Sequence, residues 1–356
     1  MTLAEGMSHQ VLRIIDANLN RIGEGLRLLE EIARLLLNDA ALTEQLKVMR
    51  HDLIRSDFSF NRQLLQSRDA ESDVGAHLEV PGEERGRELP LVLVANSRRV
   101  QESLRTLEEL AKVPPIIPEL DPAKFQKARF DTYTIERKLM SRLLRQDKAK
   151  LIAGLYVIID TQALKGRNPV EVARQVIAGG ARTIQLRDKV LGKKELLPVA
   201  RQLRDLCAER NVLFIVNDYL DVSMEVDADG LHVGQDDLPV KVARRLLPID
   251  KILGGSARTL ELAAAAQAEG ADYIGVGSMY PTSTKETAEV VGLDRLRQMR
   301  QAISLPLVAI GGITLENVSK VMAAGADAVA VISAVLGAES PEEATRKMAG
   351  TLEKQK

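Results

Sequence analysis

From Leu155 onward the chain repeats one pattern eight times: a short run dense in Val, Ile and Leu, then a stretch with helical spacing. The runs are LYVIID, TIQLRD, LFIVND, GLHVG, KILGGSA, YIGVGS, LVAIGG and AVAVIS. Continuous apolar runs of this length suit strands covered on both faces, and their alternation with helices is the grammar of a parallel sheet. Eight such units in roughly 200 residues fill a closed (β/α)8 barrel, whereas an open doubly wound sheet normally stops at about five or six strands. Gly-Ala pairs just before strands, as at Gly270-Ala271-Asp272 and Gly325-Ala326-Asp327, fit the ends of αβ loops. The predicted fold class is therefore α/β: a C-terminal (β/α)8 TIM barrel over 151–356, preceded by an all-α domain.

A barrel of this kind carries its chemistry where the strands end, on the βα loops. The second run ends in Gln185, Leu186, Arg187, Asp188 and Lys189, and the third in Asn217 and Asp218. Gln235, Asp236 and Asp237 follow the fourth, and Ser256 lies in the fifth. The sixth leads into GSMYPTSTKE, where Thr282, Ser283 and Thr284 precede Lys285. Hydroxyls, free backbone N–H groups and a lysine are what replaces the hydration shell of an anion. The seventh and eighth runs end in Gly311-Gly312 and in Ile332-Ser333, the two loops where such barrels commonly seat a phosphate.

Arg187, Lys189 and Lys285 supply cations to the same rim, and Asp218 and Asp237 supply carboxylates that converge only around something positive. Mg2+ suits them, because it takes a few carboxylates, keeps waters and bridges to phosphate oxygens. The alternative is that Asp218 caps one helix and Asp237 begins another. A glycine-held phosphate beside a metal-and-cation clamp implies two substrates, one a monophosphate and one a diphosphate, and so a transfer reaction. Gln185 and Asn217 are suited to orienting a heterocycle; His232 reads as a strand-end packing residue.

The chain has 356 residues, more than one core usually serves, and a formal net charge of −1. Without a broad basic face, nucleic acid and membrane surfaces are unsuited as main partners. No signal-like or membrane-length apolar segment is visible, which predicts a cytoplasmic protein. Cys207 is the single cysteine and sits in a helical pattern, as a buried structural thiol would.

Taken together, QLRDK, VNDYLDV, DGLHVGQDDLP, GGSAR, GVGSMYPTSTK, AIGGI and VIS resemble the thiamine-phosphate synthase family over about residues 151–345. The resemblance implies an enzyme that joins hydroxymethylpyrimidine diphosphate to thiazole phosphate or its carboxylate, releasing diphosphate through a pyrimidine carbocation. It implies Gln185 to Lys189, Asn217, Ser256 and Lys285 around the pyrimidine diphosphate, and Asp218 and Asp237 on Mg2+. Thr282 to Thr284, Gly312, Ile332 and Ser333 would surround the thiazole phosphate. Gly255-Ser256 stands where the family often has Val-Ser, and Asp188 where Glu is frequent.

Residues 1–120 read as helical, with little β signal until ELPLVLVAN. Residues 18–33 align without gaps on 96–111, with nine identities in sixteen positions. At helical spacing Arg21, Glu24, Arg27 and Glu31 share one face, which Arg99, Glu102, Arg105 and Glu109 repeat. Such pairs usually dress a solvated helix, but two copies packed side by side could form a buried or cleft-lining Arg/Glu network. RHDL and SRDAESDVG add His51, Asp52, Arg68, Asp69 and Asp73. This half resembles the helical domain found beside cyanobacterial thiamine-phosphate synthases, related to a proposed alternative hydroxymethylpyrimidine-phosphate kinase. No Walker-type glycine loop is present, so a kinase and a structural or oligomerising domain both stay open. VPPIIPELDP marks the boundary, and 121–150 reads as a charged helix joining the halves.

Three rivals compete with this reading. A thiazole tautomerase would not need Asp218, Asp237 and Lys285 together, and a Schiff-base aldolase or isomerase would set its lysine in an apolar pocket. A non-catalytic sensor of thiamine precursors differs in class and is separated by turnover. The sequence leaves room for a homo-oligomer without disclosing one.

Overall fold

The computed structural model describes residues 9–54, 58–69, 88–113, 120–282 and 290–354. It divides into two compact units, Met1–Leu144 and Arg145–Lys356.

The first unit is helical: α1 (His9–Glu31), a π-helical turn (Ile32–Leu36), α2 (Ala40–Ile54), α3 (Phe58–Ser67), α4 (Leu89–Leu110) and the part of α5 (Pro122–Leu151) that precedes Arg145. Leu12, Ile15, Leu19, Ile22, Leu26 and Leu29 fall every three or four residues along α1 and are all buried, which is the stripe a core-facing helix requires. ELPLVLVAN opens α4 rather than a strand. Pro90 is preset for a first helical turn, and Leu93, Val100, Leu104 and Leu107 continue at helical spacing into the core. Residues 121–150 do more than join two halves, because Phe125, Ala128, Ile135 and Leu139 belong to this core.

The two copies of the repeat lie on α1 and α4, packed through their apolar sides. A Cβ on Gly25 would lie 2.5 Å from Val100 Cγ2, so the glycine permits the close approach. The charged faces turn elsewhere. Arg21, Glu24, Arg27, Arg99, Glu102, Arg105 and Glu109 are exposed and Glu31 is half-buried. Arg27 Nε donates to Glu31 Oε1 at 2.9 Å and Arg105 pairs with Glu109 at 2.7 Å, each within its own helix. No ion pair joins the two faces among the described residues, so the expected shared network does not form. The buried acids are their neighbours. Glu30 takes Arg50 of α2 (Nη2, 2.9 Å), and Glu108 takes Arg129 of α5 (Nη2, 3.0 Å). Arg50 and Arg129 lie at nearly equal distances along the chain from these acids, so each copy is tied by an arginine of a second helix.

In the second unit β1 (Gly154–Asp160), β2 (Thr183–Arg187), β3 (Leu213–Asn217), β4 (Gly230–Val233), β5 (Ile252–Ala257), β6 (Tyr273–Gly277), β7 (Leu307–Ile310) and β8 (Ala328–Val331) close a parallel barrel in chain order. Closure pairs Leu155 with Val329. Around it run α6 (Pro169–Ala178), α7 (Lys193–Glu209), α8 (Leu220–Glu225), α9 (Val240–Leu246), α10 (Leu260–Glu269), α11 (Gly292–Ala302), α12 (Val318–Ala323), α13 (Ser333–Leu336) and α14 (Pro341–Glu353). One core fills the space between strands and helices; another, with Tyr156, Ile158, Ile215, Ile252, Tyr273 and Val308, fills the barrel itself.

At the N-terminal end of the strands, acids clasp adjacent strands. Asp229, Asp272 and Asp327 accept from the backbone N–H of Phe214 (3.0 Å), Leu253 (2.8 Å) and Leu307 (2.8 Å), each of which returns a carbonyl bond. Arg145, Arg244 and Arg300 pair with Asp272, Asp272 and Asp327. Chemistry is thereby left to the opposite end.

Candidate active site

A cavity of about 290 Å³ opens at the C-terminal ends of the strands. Gln185, Arg187 and Lys189 enter it from the β2 end, and Asn217 and Asp218 from the β3 end. Asp237 follows β4, Ser256 ends β5, and Thr282 follows β6. Gly312, Ile332 and Ser333 close the circle after β7 and β8. Ser283, Thr284 and Lys285 lie outside the described residues, as does Asp73.

Two members of the expected set face away. Leu186 is buried in the layer between strands and helices. The Asp188 carboxylate folds back on its own loop, accepting from Val190 N (2.7 Å) and Leu191 N (2.6 Å) and from the Thr161 hydroxyl. It shapes the turn that carries Lys189 and lies outside the cavity lining. Arg187 is held likewise, by the buried Asp160 at the end of β1, whose other oxygen accepts from Ala163 N at 3.0 Å. Asp160 was not marked by the sequence reading, since a lone acid after VII looks like any strand terminus.

Asp218 adopts φ +64°, a left-handed conformation that Asp tolerates better than most residues, and its N–H donates to His232 O at 2.8 Å. Its carboxylate pairs with Lys189 and interacts with that of Asp237, which accepts from Gly234 N at 2.9 Å. Neither acid caps a helix: the N-cap of α8 is Tyr219 and that of α9 is Pro239, both without a side-chain cap bond. Burial raises the Asp218 pKa to about 6, and the neighbouring Asp237 adds to this against the pull of Lys189. Burial opposes ionisation of Asp237 too, but its bonds to Asp218 and Gly234 N–H, with the charge of Lys189, hold it below the usual carboxylate range. Lys189 is raised by its bond to Asp218. Among the described residues no group of three His, Cys, Asp or Glu is placed to hold a metal, so a cation here would rely on these two carboxylates plus water and ligand oxygens.

Across the cavity Gly311 and Gly312 have φ of +99° and +64°. A Cβ on Gly312 would lie 2.6 Å from Pro281 O and one on Gly311 2.1 Å from Ser278 Oγ, so the β7 loop presses backbone against the β6 loop. Asn317 ties the turn, donating to Gly312 O and accepting from Thr314 N, both at 2.9 Å.

Residues that the sequence reading did not assign to the site are also present. Tyr156, His232 and Tyr273 line the cavity from strands β1, β4 and β6. Burial lowers the His232 pKa to about 4, leaving a neutral imidazole at neutral pH. Apolar neighbours made the tyrosines look like ordinary core residues.

A parallel (β/α)8 barrel with paired carboxylates and cations on one side of its mouth and paired glycines on the other is a barrel for phosphorylated substrates. Residues 155–335 match the thiamine monophosphate synthase family model, and residues 13–138 match the ThiD2 family. Thiamine-phosphate synthase of Thermosynechococcus vestitus is 37% identical over 94% of this chain and 93% of its own length. That of Rhodopirellula baltica is 38% identical over 94% and 90%. The solved thiamine phosphate pyrophosphorylase from Pyrococcus furiosus has 40% identity and a TM-score of 0.54, covering 58% of this chain and 98% of that one. The chain belongs to the thiamine-phosphate synthase family, with a ThiD2-type domain before the barrel, and is a transferase of thiamine biosynthesis.

Proposed function

We propose that the barrel joins hydroxymethylpyrimidine diphosphate to thiazole phosphate in a Mg2+-dependent reaction. The observation that carries this reading is the Lys189–Asp218–Asp237 cluster facing Gly311 and Gly312 across one cavity. The two neighbouring carboxylates offer the hard oxygen donors that Mg2+ prefers, and they leave room for water and phosphate oxygens. When bound, Mg2+ neutralises charge on the diphosphate leaving group. Arg187 and Lys189, joined by Lys285, take up the rest of that charge as the bond from the pyrimidine methylene to oxygen breaks. The amides around Gly312 and Ser333 hold the thiazole phosphate so that the ring nitrogen forms the new C–N bond. No proton needs removal from the attacking nitrogen, in keeping with a site that has cations but no histidine free to act as a base.

The test is formation of thiamine phosphate and diphosphate from the two precursors with Mg2+, and its loss with EDTA. Binding of both without turnover would favour a sensor. Phosphorylated small-molecule substrates support a cytoplasmic place of action, and no helix among the described residues is long and apolar enough to cross a membrane. For the helical unit, ATP-dependent phosphorylation of the pyrimidine monophosphate separates a kinase from a structural role.

A further inference from the structure

Five side chains from five strands form one unbroken line of hydrogen bonds along the floor of the cavity. Gln185 Nε2 donates to the Tyr156 hydroxyl at 2.8 Å, and that hydroxyl lies 3.1 Å from the Tyr273 hydroxyl. The Tyr273 hydroxyl lies 3.1 Å from His232 Nδ1, and His232 Nε2 lies 2.9 Å from Ser256 Oγ. Neighbouring strands make room for the rings. A Cβ on Gly254 would sit 2.1 Å from Tyr273 Cζ and 2.5 Å from His232 Nδ1, and one on Gly275 2.9 Å from His232 Cε1. Packing alone is served by branched apolar residues, which fill most barrels of this type. A fully paired polar line needs another reason.

Each phenol has one hydrogen and a neutral imidazole has one N–H, so all four contacts are bonded with no phenol hydrogen left over only when the bonds run the same way. With the Gln185 amide nitrogen on Tyr156, the direction is from Gln185 through Tyr156 and Tyr273 to His232 Nδ1. His232 Nε2–H then donates to Ser256 Oγ. Gln185 is left with a free carbonyl oxygen and Ser256 with a free O–H, and both residues line the cavity.

We propose that this line fixes an acceptor at Gln185 and a donor at Ser256, making Tyr273 and His232 positioning residues that select a 4-aminopyrimidine over its 4-oxo counterpart. The inference rests on the pyrimidine reading of the cavity. An exocyclic amine donates to Gln185 and an unprotonated ring nitrogen accepts from Ser256; the oxo form, with C=O and N–H in those places, inverts the pattern. Sites that hydrogen-bond their substrate reject mismatched analogues strongly, because buried polar groups are left unpaired.

Two measurements test it. In the free protein, 15N NMR of the imidazoles, with His232 assigned through His232→Asn, should show the Nε2–H tautomer; the Nδ1–H tautomer overturns the proposal whatever the enzyme's activity. In turnover, the kcat/KM preference for the amino over the oxo pyrimidine diphosphate should be on the order of 100-fold or more. Tyr273→Phe should cut that preference at least tenfold while the KM for thiazole phosphate stays unchanged. An undiminished preference in Tyr273→Phe rejects the role of the line. A wild-type enzyme that forms no thiamine phosphate rejects the pyrimidine reading instead, and the tautomer still decides whether the line has the stated direction.

Discussion

Lys189, on the loop after β2, pairs with Asp218 at the end of β3, 29 residues further on, and the Asp218 carboxylate in turn interacts with that of Asp237 beyond β4. Three loops thus meet at one point of charge. Asp237→Ala leaves Asp218 with Lys189 alone and removes half of the carboxylate pair, so kcat should fall by on the order of a hundredfold or more, with a higher Mg2+ concentration needed for half-maximal rate. Steady-state assays over a Mg2+ series check both. Near-normal rates at low Mg2+ would remove Asp237 from the assigned role.

Lys285→Ala should lower kcat by a similar order if its ammonium takes up leaving-group charge. Pre-steady-state measurement of diphosphate release, set beside binding of the unreacted precursor, distinguishes a loss in the chemical step from a loss of affinity.

Gly312→Ala places a methyl group 2.6 Å from Pro281 O at a φ of +64°. The loop must move, and the phosphate amides with it. We expect the KM for thiazole phosphate to rise at least tenfold while the affinity for the pyrimidine diphosphate changes little; equal damage to both would mean that the loop serves the whole mouth.

Asp160→Ala strands the Arg187 guanidinium beside a buried strand end. Breaking a buried pair costs roughly 3–5 kcal/mol, and Arg187 at 23% side-chain exposure sits toward the lower end. Urea unfolding followed on the barrel should show a lower midpoint, and inhibition by inorganic diphosphate should weaken. An unaltered midpoint would mean that Arg187 finds another partner.

Burial pushes the Cys207 thiol up to about 12, with the charge of Asp229 adding to it. The unfolded thiol titrates near 8.5, so the unfolded chain loses its proton first as pH rises. This contribution to stability is intact below pH ~8.5 and is lost progressively between there and about 12. Labelling at pH 8 with a thiol reagent should be negligible in the native protein and fast in urea.

Much of the barrel was legible because strands buried on both faces spell continuous apolar runs, and because rim chemistry follows each run directly. Asp188 shows where that rule stops. An acid between two rim cations looks like part of the clamp, yet its carboxylate accepts from the backbone N–H groups of Val190 and Leu191 in its own turn. His232, Tyr156 and Tyr273 were missed for the opposite reason: alternation along a strand does not say whether an inward ring fills space or carries a hydrogen bond. In the helical unit the repeat was plain but its direction was not. One residue is about 100° of helix, which separates buried Glu30 and Glu108 from Glu31 and Glu109 on the outer side.

Clasping the foot of the barrel through Asp229, Asp272 and Asp327 divides the labour of selection between its two rims. A lineage adapting to heat or salt can strengthen or relax those acid clasps without disturbing the mouth, and one adapting to a new precursor can rework the mouth without loosening the hoop.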